Sequence, residues 1–229
     1  MKKKVIVISL GGSLIIPNEI NTKYLLKFKK TIKKFTKDYK FVIVTGGGGL
    51  ARIYINSLKS INASRTMQSL AGIAATRNNA RFMNYFFNYE PKAGIPLKMS
   101  QIKKYLRKND FVFCGGLSYR KRQTSDSTAA QVTKHLKCEF VNITNVKGLY
   151  NKDPKKHKNA KFIPKITWQN FYKIANKTKF NPGQHFVLDQ TASLIIMNHK
   201  IKTTIIGTNI KNFENYLLGK KFIGTIIVD

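Results

Sequence analysis

Two glycine-rich turns are the first features of the chain whose residue types and spacing suggest chemistry. One reads Leu10-Gly11-Gly12-Ser13 and the other reads Thr45-Gly46-Gly47-Gly48-Gly49, and each stands between a strand-like run and a helix-like run. Glycine lets the backbone approach a ligand closely, and the exposed N–H groups of such a turn bind anions. Neither turn follows the Walker A or the G-x-G-x-x-G pattern. One turn alone is weak evidence, but two of them indicate a site that handles two phosphate groups.

Acidic side chains are scarce, so carboxylate chemistry has few candidates. The chain has only 10 Asp and Glu residues. Asp126 follows Thr124 and Ser125 in the first turn of a predicted helix, where hydroxyl and carboxylate groups also serve as caps. Asp153 is the next-to-last residue of the run from Thr144 to Pro154. Residue propensity alone predicts this run to be a turn. Because Mg²⁺ is held by hard oxygen ligands, often one or two carboxylates plus substrate phosphates, any metal-assisted chemistry depends on this short set.

The elements that position these residues alternate between strand and helix patterns. Short apolar runs predict strands at 5–10, 41–45, 111–114, 140–144, 203–207 and 224–228. Helical periodicity predicts helices at 22–37, 50–59, 67–89, 125–136, 168–175, 189–198 and 210–218. The stretch 177–185 carries Pro182 and Gly183 and is interpreted as a loop. The alternation indicates an α/β protein, with a mainly parallel sheet covered by helices on both faces.

Composition limits the class of protein. At 229 residues and 42% hydrophobic residues, the chain has enough apolar side chains for a continuous core without disulfides. Cys114 and Cys138 lack C-x-x-C spacing and are interpreted as small buried residues in a reducing compartment. No apolar run approaches the roughly 18 residues that a membrane span needs, and the first residues show no cleavable signal. We therefore expect a cytoplasmic protein with no membrane partner.

The charge balance is strongly basic, with 42 Lys and Arg residues and a formal net charge of +32. Such a charge attracts polyanions over a screening length of about 8 Å at physiological salt. The lysines are scattered along the whole chain, often on the polar faces of predicted helices. This distribution favours a solvated surface over a dedicated nucleic-acid groove, so nucleic acid is expected to bind only non-specifically.

Five segments, taken in this order, resemble the archaeal-type UMP (uridylate) kinases of the amino acid kinase superfamily. They are G-G-S at 11–13, G-G-G-x-x-A-R-x-Y-I at 46–55, G-I-x-x-T-R-x-N-A at 72–80, a T-T-D-like triplet at 124–126 and T-N-V-x-G-x-Y-x-x-D-P at 144–154. The last segment is the most specific, whereas the glycine turns alone are not. The resemblance covers nearly the whole chain.

This resemblance implies a fold and an activity. The implied fold is a three-layer α/β/α sandwich formed by a single domain, 1–229, with a UMP-side lobe at about 1–135 and an ATP-side lobe at about 136–229. The implied reaction transfers the γ-phosphate of MgATP to UMP to give UDP, in pyrimidine nucleotide biosynthesis. Family members are commonly hexamers, so a homo-oligomer is expected.

Residue roles carry over by position from the same resemblance. The residues implied to bind ATP are Gly12, Ser13, Gly47, Arg52, Thr144, Asn145, Tyr150 and Asp153. Those implied to bind UMP are Gly46, Ser69, Gln123, Thr124 and Ser125. Asp126 is expected to organise the transfer centre together with Arg52. Mg²⁺ is expected to be held through the phosphates, with Asp126 as the candidate protein ligand.

The chain departs from the family pattern at three positions and in one loop. Ser9 stands where many members carry lysine, Ser69 where aspartate is usual, and Lys147 where aspartate is usual. The loop from 116 to 124 is longer and more basic than in the family, and we hypothesise that Arg120, Lys121 or Arg122 supplies the charge that Ser9 lacks.

Three other interpretations remain at the level of sequence. One is a superfamily relative that phosphorylates isopentenyl phosphate, carbamate or acetylglutamate. Isopentenyl phosphate kinases carry a histidine just after the second glycine turn, whereas this chain has Leu50-Ala51-Arg52 there, which disfavours that substrate. Another is a catalytically weakened nucleotide-binding or storage relative, which Ser9, Ser69 and Lys147 motivate. The third is an RNA-binding protein, which the charge alone suggests; its affinity for RNA would then survive high salt.

Overall fold

The computed structural model describes residues 3–92, 94–119, 124–154, 156–177 and 187–229. Its strands are β1 (Lys4–Leu10), β2 (Tyr39–Thr45), β3 (Phe111–Cys114), β4 (Glu139–Ile143), β5 (Leu149–Tyr150), β6 (Phe162–Ile163), β7 (Lys165–Ile166), β8 (Thr203–Ile206) and β9 (Gly224–Ile227). Its helices are α1 (Gly12–Ile15), α2 (Thr22–Phe35), α3 (Gly48–Ser60), α4 (Arg65–Phe86), α5 (Met99–Lys108), α6 (Ser125–Leu136), α7 (Trp168–Lys177), α8 (Gln190–Asn198) and α9 (Ile210–Leu217).

One seven-stranded sheet organises these elements, in the order β3-β2-β1-β4-β8-β9-β7. The first five strands are parallel, and β9 runs antiparallel to β8. The chain moves outward from β1 to β2 and β3, and then returns to place β4 on the other side of β1. The crevice outside the carboxyl ends of β1 and β4 is therefore the point where an open α/β sheet binds its ligands.

The alternation of side chains along β1 separates two cores. Ile6, Ile8 and Leu10 face a cluster with α2, α4 and α9, whereas Val7 faces a cluster with α5, α6, α7 and α8. Successive strand residues point to opposite faces, so both faces of this central strand are buried. The result is the expected three-layer α/β/α sandwich with a mainly parallel sheet.

The predicted elements are confirmed, with shifts at their ends. The sequence prediction omitted α5, because only Ile102 and Leu106 are buried there among four cationic residues. It also omitted the one-turn helix α1 and the two-residue strands β5, β6 and β7, which are too short to show a period. The loop predicted at 177–185 lies almost entirely outside the described residues. In the part of the chain that the structure describes, no helix combines the length and the apolar character that crossing a membrane requires.

Candidate active site

The two glycine-rich turns lie against each other at the carboxyl ends of β1 and β2. A Cβ atom added to Gly12 would lie 2.1 Å from the backbone N of Gly48 and 2.6 Å from the carbonyl carbon of Gly46. Gly48 adopts a φ of +60°, in the left-handed region that favours glycine. The backbone N–H of Gly46 also donates to the carbonyl of Leu10 at 2.9 Å. The turns therefore pack backbone against backbone, where a residue with a side chain would not fit.

Asn79 of α4 holds the second turn in place. Its side-chain nitrogen donates to the carbonyl oxygens of Gly46 at 2.7 Å and Gly47 at 3.2 Å. Asn79 is almost fully buried, so both bonds form away from bulk water. These carbonyls and the N–H groups of Gly46 and Gly49 are engaged within the protein, so anion recognition at the turn falls to its remaining N–H groups.

The same helix also holds the loop that follows β3. Thr76 accepts a hydrogen bond from the backbone N–H of Gly116 at 2.8 Å. Arg77 donates to the carbonyls of Gly116 and Leu117, both at 2.8 Å. The segment 72–80, which sequence analysis assigned to a family pattern without a role, thus connects the ends of β2 and β3.

Arg52 lies on the exposed side of α3, just beyond the second turn. One guanidinium nitrogen donates to the carbonyl of Pro17 at 2.7 Å, and the N–H of Gly49 donates to the carbonyl of Ile16 at 2.7 Å. Both bonds join α3 to the loop that follows α1. Arg52 is thereby held against the loop that follows α1, and its role in phosphate binding stays a prediction.

Asp126 lies in the first turn of α6, on the sheet side. Its Oδ1 atom accepts a hydrogen bond from the Ser9 hydroxyl at 2.6 Å, which ties it to the end of β1. Thr124 caps the helix by accepting from the N–H of Ser127 at 3.2 Å. Burial, together with the negative charge of Asp189, raises the pKa of Asp126 to about 7, although the Ser9 bond opposes the change.

Asp189 is a candidate site residue that the sequence analysis missed. It was predicted to be the first residue of a helix, but it is the N-cap of α8: its Oδ1 accepts from the N–H of Ala192 at 2.9 Å. Its Oδ2 accepts a hydrogen bond from the Thr124 hydroxyl, so the starts of α6 and α8 meet. Burial raises the pKa of Asp189, and the bond from Thr124 opposes that change. Two features of the sequence pointed to it: Asp189 is one of only 10 acidic residues, and it stands at the start of a predicted helix.

The residues predicted to bind adenosine lie further along the same edge. Thr144 follows β4, and its N–H donates to the carbonyl of Ile206 at 3.0 Å. Asn145 is exposed, and the Tyr150 ring packs against Phe162 with centroids 5.4 Å apart. Asp153 is exposed in the turn after β5. The role of these four residues in binding adenosine stays a prediction.

The residues predicted to bind UMP are only partly placed beside the turns. Gly46 belongs to the contact described above, and Thr124 and Ser125 are half-buried at the start of α6. Ser69 is exposed on α4, where its hydroxyl donates to the carbonyl of Arg65 at 2.8 Å. Gln123 lies outside the described residues, as do Arg120, Lys121 and Arg122, so the hypothesis about that loop stays a prediction. Ser13 is half-buried in α1, directly after Gly12.

The donor set fits a magnesium ion that is held mainly by phosphates. Among the described residues no group of three or more His, Cys, Asp or Glu side chains is arranged to hold a metal. Asp126 and Asp189, however, are two hard oxygen donors at one end of the sheet, and the negative charge of Asp189 raises the pKa of Asp126. A divalent cation relieves this repulsion, and Mg²⁺ is commonly bound by one or two carboxylates with substrate phosphates.

Comparison with known proteins agrees with this geometry. Residues 4–207 match the amino acid kinase family. The uridylate kinase of Thermococcus sibiricus is 32% identical over 206 residues, covering 88% of this chain and 89% of that protein. The uridylate kinase of Archaeoglobus fulgidus is 32% identical over 225 residues, covering 97% of this chain and 99% of that protein.

The solved structures show the same similarity in three dimensions. The crystal structure of the A. fulgidus uridylate kinase superposes with a TM-score of 0.85 over 97% of this chain and 99% of that one. The UMP kinase of Ureaplasma parvum superposes with a TM-score of 0.79 at 23% identity, which shows the shared fold. With its glycine turns in contact at the sheet edge and a family match that spans most of its length, this chain belongs to the amino acid kinase family.

Proposed function

We propose that this chain is a uridylate kinase, which transfers the γ-phosphoryl group of ATP to UMP and releases UDP and ADP. The observation that carries the proposal is the contact between the turn at Gly12 and the turn at Gly46. Two anion-binding turns in contact hold a donor phosphate and an acceptor phosphate end to end, as transfer between nucleotides requires. The 32% identity to uridylate kinases over nearly the whole chain supports the same choice of substrates.

The proposed boundary between the ATP side and the UMP side lies within the second turn. Gly12, Ser13, Gly47 and Arg52 bind the ATP phosphates, and Gly46 begins the UMP side. Residues Ser69, Gln123, Thr124 and Ser125 complete the UMP side. Backbone N–H groups and the Arg52 guanidinium neutralise the charge that the transferred phosphoryl oxygens gain in the transition state.

The chemistry asks little of the protein beyond this positioning. A phosphate oxygen of UMP attacks the γ-phosphorus, a new P–O bond forms, and the bond from that phosphorus to the β–γ bridging oxygen breaks as ADP leaves. The attacking oxygen is already ionised at neutral pH, so no general base is needed. Asp126, which accepts a hydrogen bond from Ser9 near the end of β1, orients the reacting groups. When bound, Mg²⁺ supplies positive charge to the phosphate oxygens.

The adenosine side is assigned to Thr144, Asn145, Tyr150 and Asp153. Thr144 and Asn145 directly follow β4, the strand beside β1, so a nucleotide whose phosphates lie at the first turn extends its ribose and base over them. Lys147 is exposed in the same stretch. In this assignment residues up to about 135 form the UMP-side lobe, which also supplies the turns for the ATP phosphates, and residues from about 136 form the ATP-side lobe that binds adenosine, within one domain.

Further properties belong to the same proposal. We infer that Mg²⁺ is the working metal, that the protein forms a homohexamer, and that it acts in the cytoplasm in pyrimidine nucleotide synthesis. The resemblance to UMP kinases supports each of them. Size-exclusion chromatography with light scattering measures the oligomer directly.

A coupled assay with purified protein tests the activity. Protein, Mg²⁺ and ATP are incubated separately with UMP, CMP and isopentenyl phosphate, and the products are separated by chromatography. We expect UDP and ADP in equal amounts, with UMP preferred. Turnover of isopentenyl phosphate instead of UMP would reassign the substrate. Calorimetric binding of ATP and UMP without UDP formation would identify a nucleotide-binding relative and overturn the proposal.

A further inference from the structure

Ser9 is a buried hydroxyl at the point where the sheet meets the proposed reaction centre. It is 1% exposed, next to last in β1, and β1 lies between β2 and β4. The alternation along β1 turns Ser9 to the same face as Val7, which packs in the cluster with α6 and α8. A buried hydroxyl needs a hydrogen-bond partner, and the partner here is the Asp126 carboxylate at 2.6 Å.

Asn142 is the neighbour of Ser9 across the strand pair. The register of β1 and β4 places Ser9 directly beside Asn142, and both point to the same face of the sheet. Asn142 is 3% exposed, and its side-chain nitrogen donates to the carbonyl of Val187. Val187 is two residues before Asp189, so this bond anchors the segment that delivers the second carboxylate.

Together, these bonds connect one pair of strand residues to both acids. Ser9 holds Asp126 at the start of α6, and Asn142 holds the approach to Asp189 at the start of α8. A third bond, from the Thr124 hydroxyl to Asp189, links the two helix starts directly. Strands at the centre of a sheet are the most rigid part of such a fold, whereas helix starts depend on their caps.

We propose that Ser9 and Asn142 are positioning residues that set the separation and orientation of the Asp126 and Asp189 carboxylates for phosphoryl transfer. The proposal rests on the kinase function given above, and it adds a role for two strand residues that touch neither nucleotide in that assignment. Phosphoryl transfer depends on in-line geometry, where a displacement of about 1 Å can cost roughly 100-fold in rate. Hydrogen bonds from two residues of central strands, Ser9 and Asn142, would keep the two carboxylates in that geometry.

Steady-state kinetics on anchor variants test the proposal. We expect Ser9→Ala to lower kcat about 10- to 100-fold while KM for ATP and UMP changes by less than about threefold, because substrate contacts remain. Ser9→Thr keeps the hydroxyl and is expected to recover most of kcat. Asn142→Leu is expected to lower kcat in the same way. The matched control is Thr203→Val, which removes a hydroxyl that is 0% exposed at the opposite end of β8.

The double variant distinguishes a shared role from two separate ones. Because both anchors serve one pair of carboxylates, Ser9→Ala combined with Asn142→Leu is expected to lower kcat by less than the product of the single losses. Thermal unfolding of each variant accompanies the kinetics, and Asn142→Leu carries the test if Ser9→Ala fails to fold. A fully multiplicative loss, a kcat of Ser9→Ala within about twofold of the wild type, or a loss equalled by Thr203→Val would overturn the proposal.

The proposed function and the positioning role fail in different ways. If the wild-type protein makes no UDP, the kinase function is wrong. If the wild type turns over but Ser9→Ala and Asn142→Leu match it, only the positioning role is wrong.

Discussion

The carboxylates of Asp126 and Asp189 come from the starts of different helices, and the negative charge of Asp189 raises the pKa of Asp126 at the carboxyl end of the sheet. Asp126 is tied to β1 by Ser9, and Asp189 is tied to the cap of α6 by Thr124. Two acids in this half-buried position are costly to fold, and phosphate-bound cations are groups that relieve the cost. In the proposed function this pair marks the reaction centre.

Replacing Asp126 by Asn is expected to lower kcat by on the order of 100-fold, because it removes a charge aimed at the transfer centre while keeping its size. Kinetics with ATP and UMP at saturation measure the effect. The matched control is Asp110→Asn, since Asp110 pairs with Lys3 at 2.6 Å, at the other end of the strands. Equal activity of the two variants would contradict the assignment of Asp126.

Stability is expected to depend on the charge of Asp126. Its pKa is raised from 3.8 to about 7 in the folded protein, so the folded state retains a proton that the unfolded state releases. The destabilising contribution is therefore absent below about pH 4, grows as pH rises toward 7 and is complete above 7. Its full size is on the order of 2 to 4 kcal/mol.

Urea unfolding of the wild type and Asp126→Asn between pH 4 and 8 measures this contribution. The variant is expected to gain stability relative to the wild type as pH increases, because Asn carries no charge at any pH. A difference that stays constant across the range would show that Asp126 keeps its ordinary pKa.

Gly12→Ala is expected to abolish activity and to destabilise the fold, because the new methyl group would lie 2.1 Å from the backbone N of Gly48. Backbone on both sides must move, and the anion-binding N–H groups move with it. Circular dichroism and the UDP assay measure the two effects. The control is Gly219→Asn, at a residue with φ of +67° and nothing within 4 Å, where Asn tolerates the backbone. Normal activity of Gly12→Ala would rule out a site at this contact.

Arg52→Ala is expected to raise KM for ATP about 10-fold, because a charge-assisted phosphate contact is lost. Arg52→Lys is expected to restore the affinity for ATP only in part. Lysine lacks the planar guanidinium that can bind a phosphate and the carbonyl of Pro17 together. The control is Arg81→Ala, because Arg81 lies on the exposed side of α4 and contacts Asn78 at 3.5 Å. If Arg52→Ala and Arg81→Ala behave alike, Arg52 only holds the loop.

The sequence by itself determined the layers and the chemistry-bearing segments. Apolar runs such as Val5–Ile8, in which every residue is β-branched, indicate strands covered on both faces and hence a parallel sheet, and a glycine turn after two such strands indicates phosphate binding. The helix with Asp126 in its first turn was predicted at 125–136, and it is observed there as Ser125–Leu136. These features are local, so a single stretch of sequence carries them.

Only the tertiary structure decided which of these segments meet. The contact of Gly12 with Gly46 depends on β1 and β2 being neighbours, and the bond between Ser9 and Asp126 joins residues 117 positions apart. The place of Asp189 in the site follows from the position of α8 beside α6, which no local pattern records. Strand order and register are set by the packing of the whole sheet. They bring Asp189, at the start of α8, next to the start of α6, which carries Asp126.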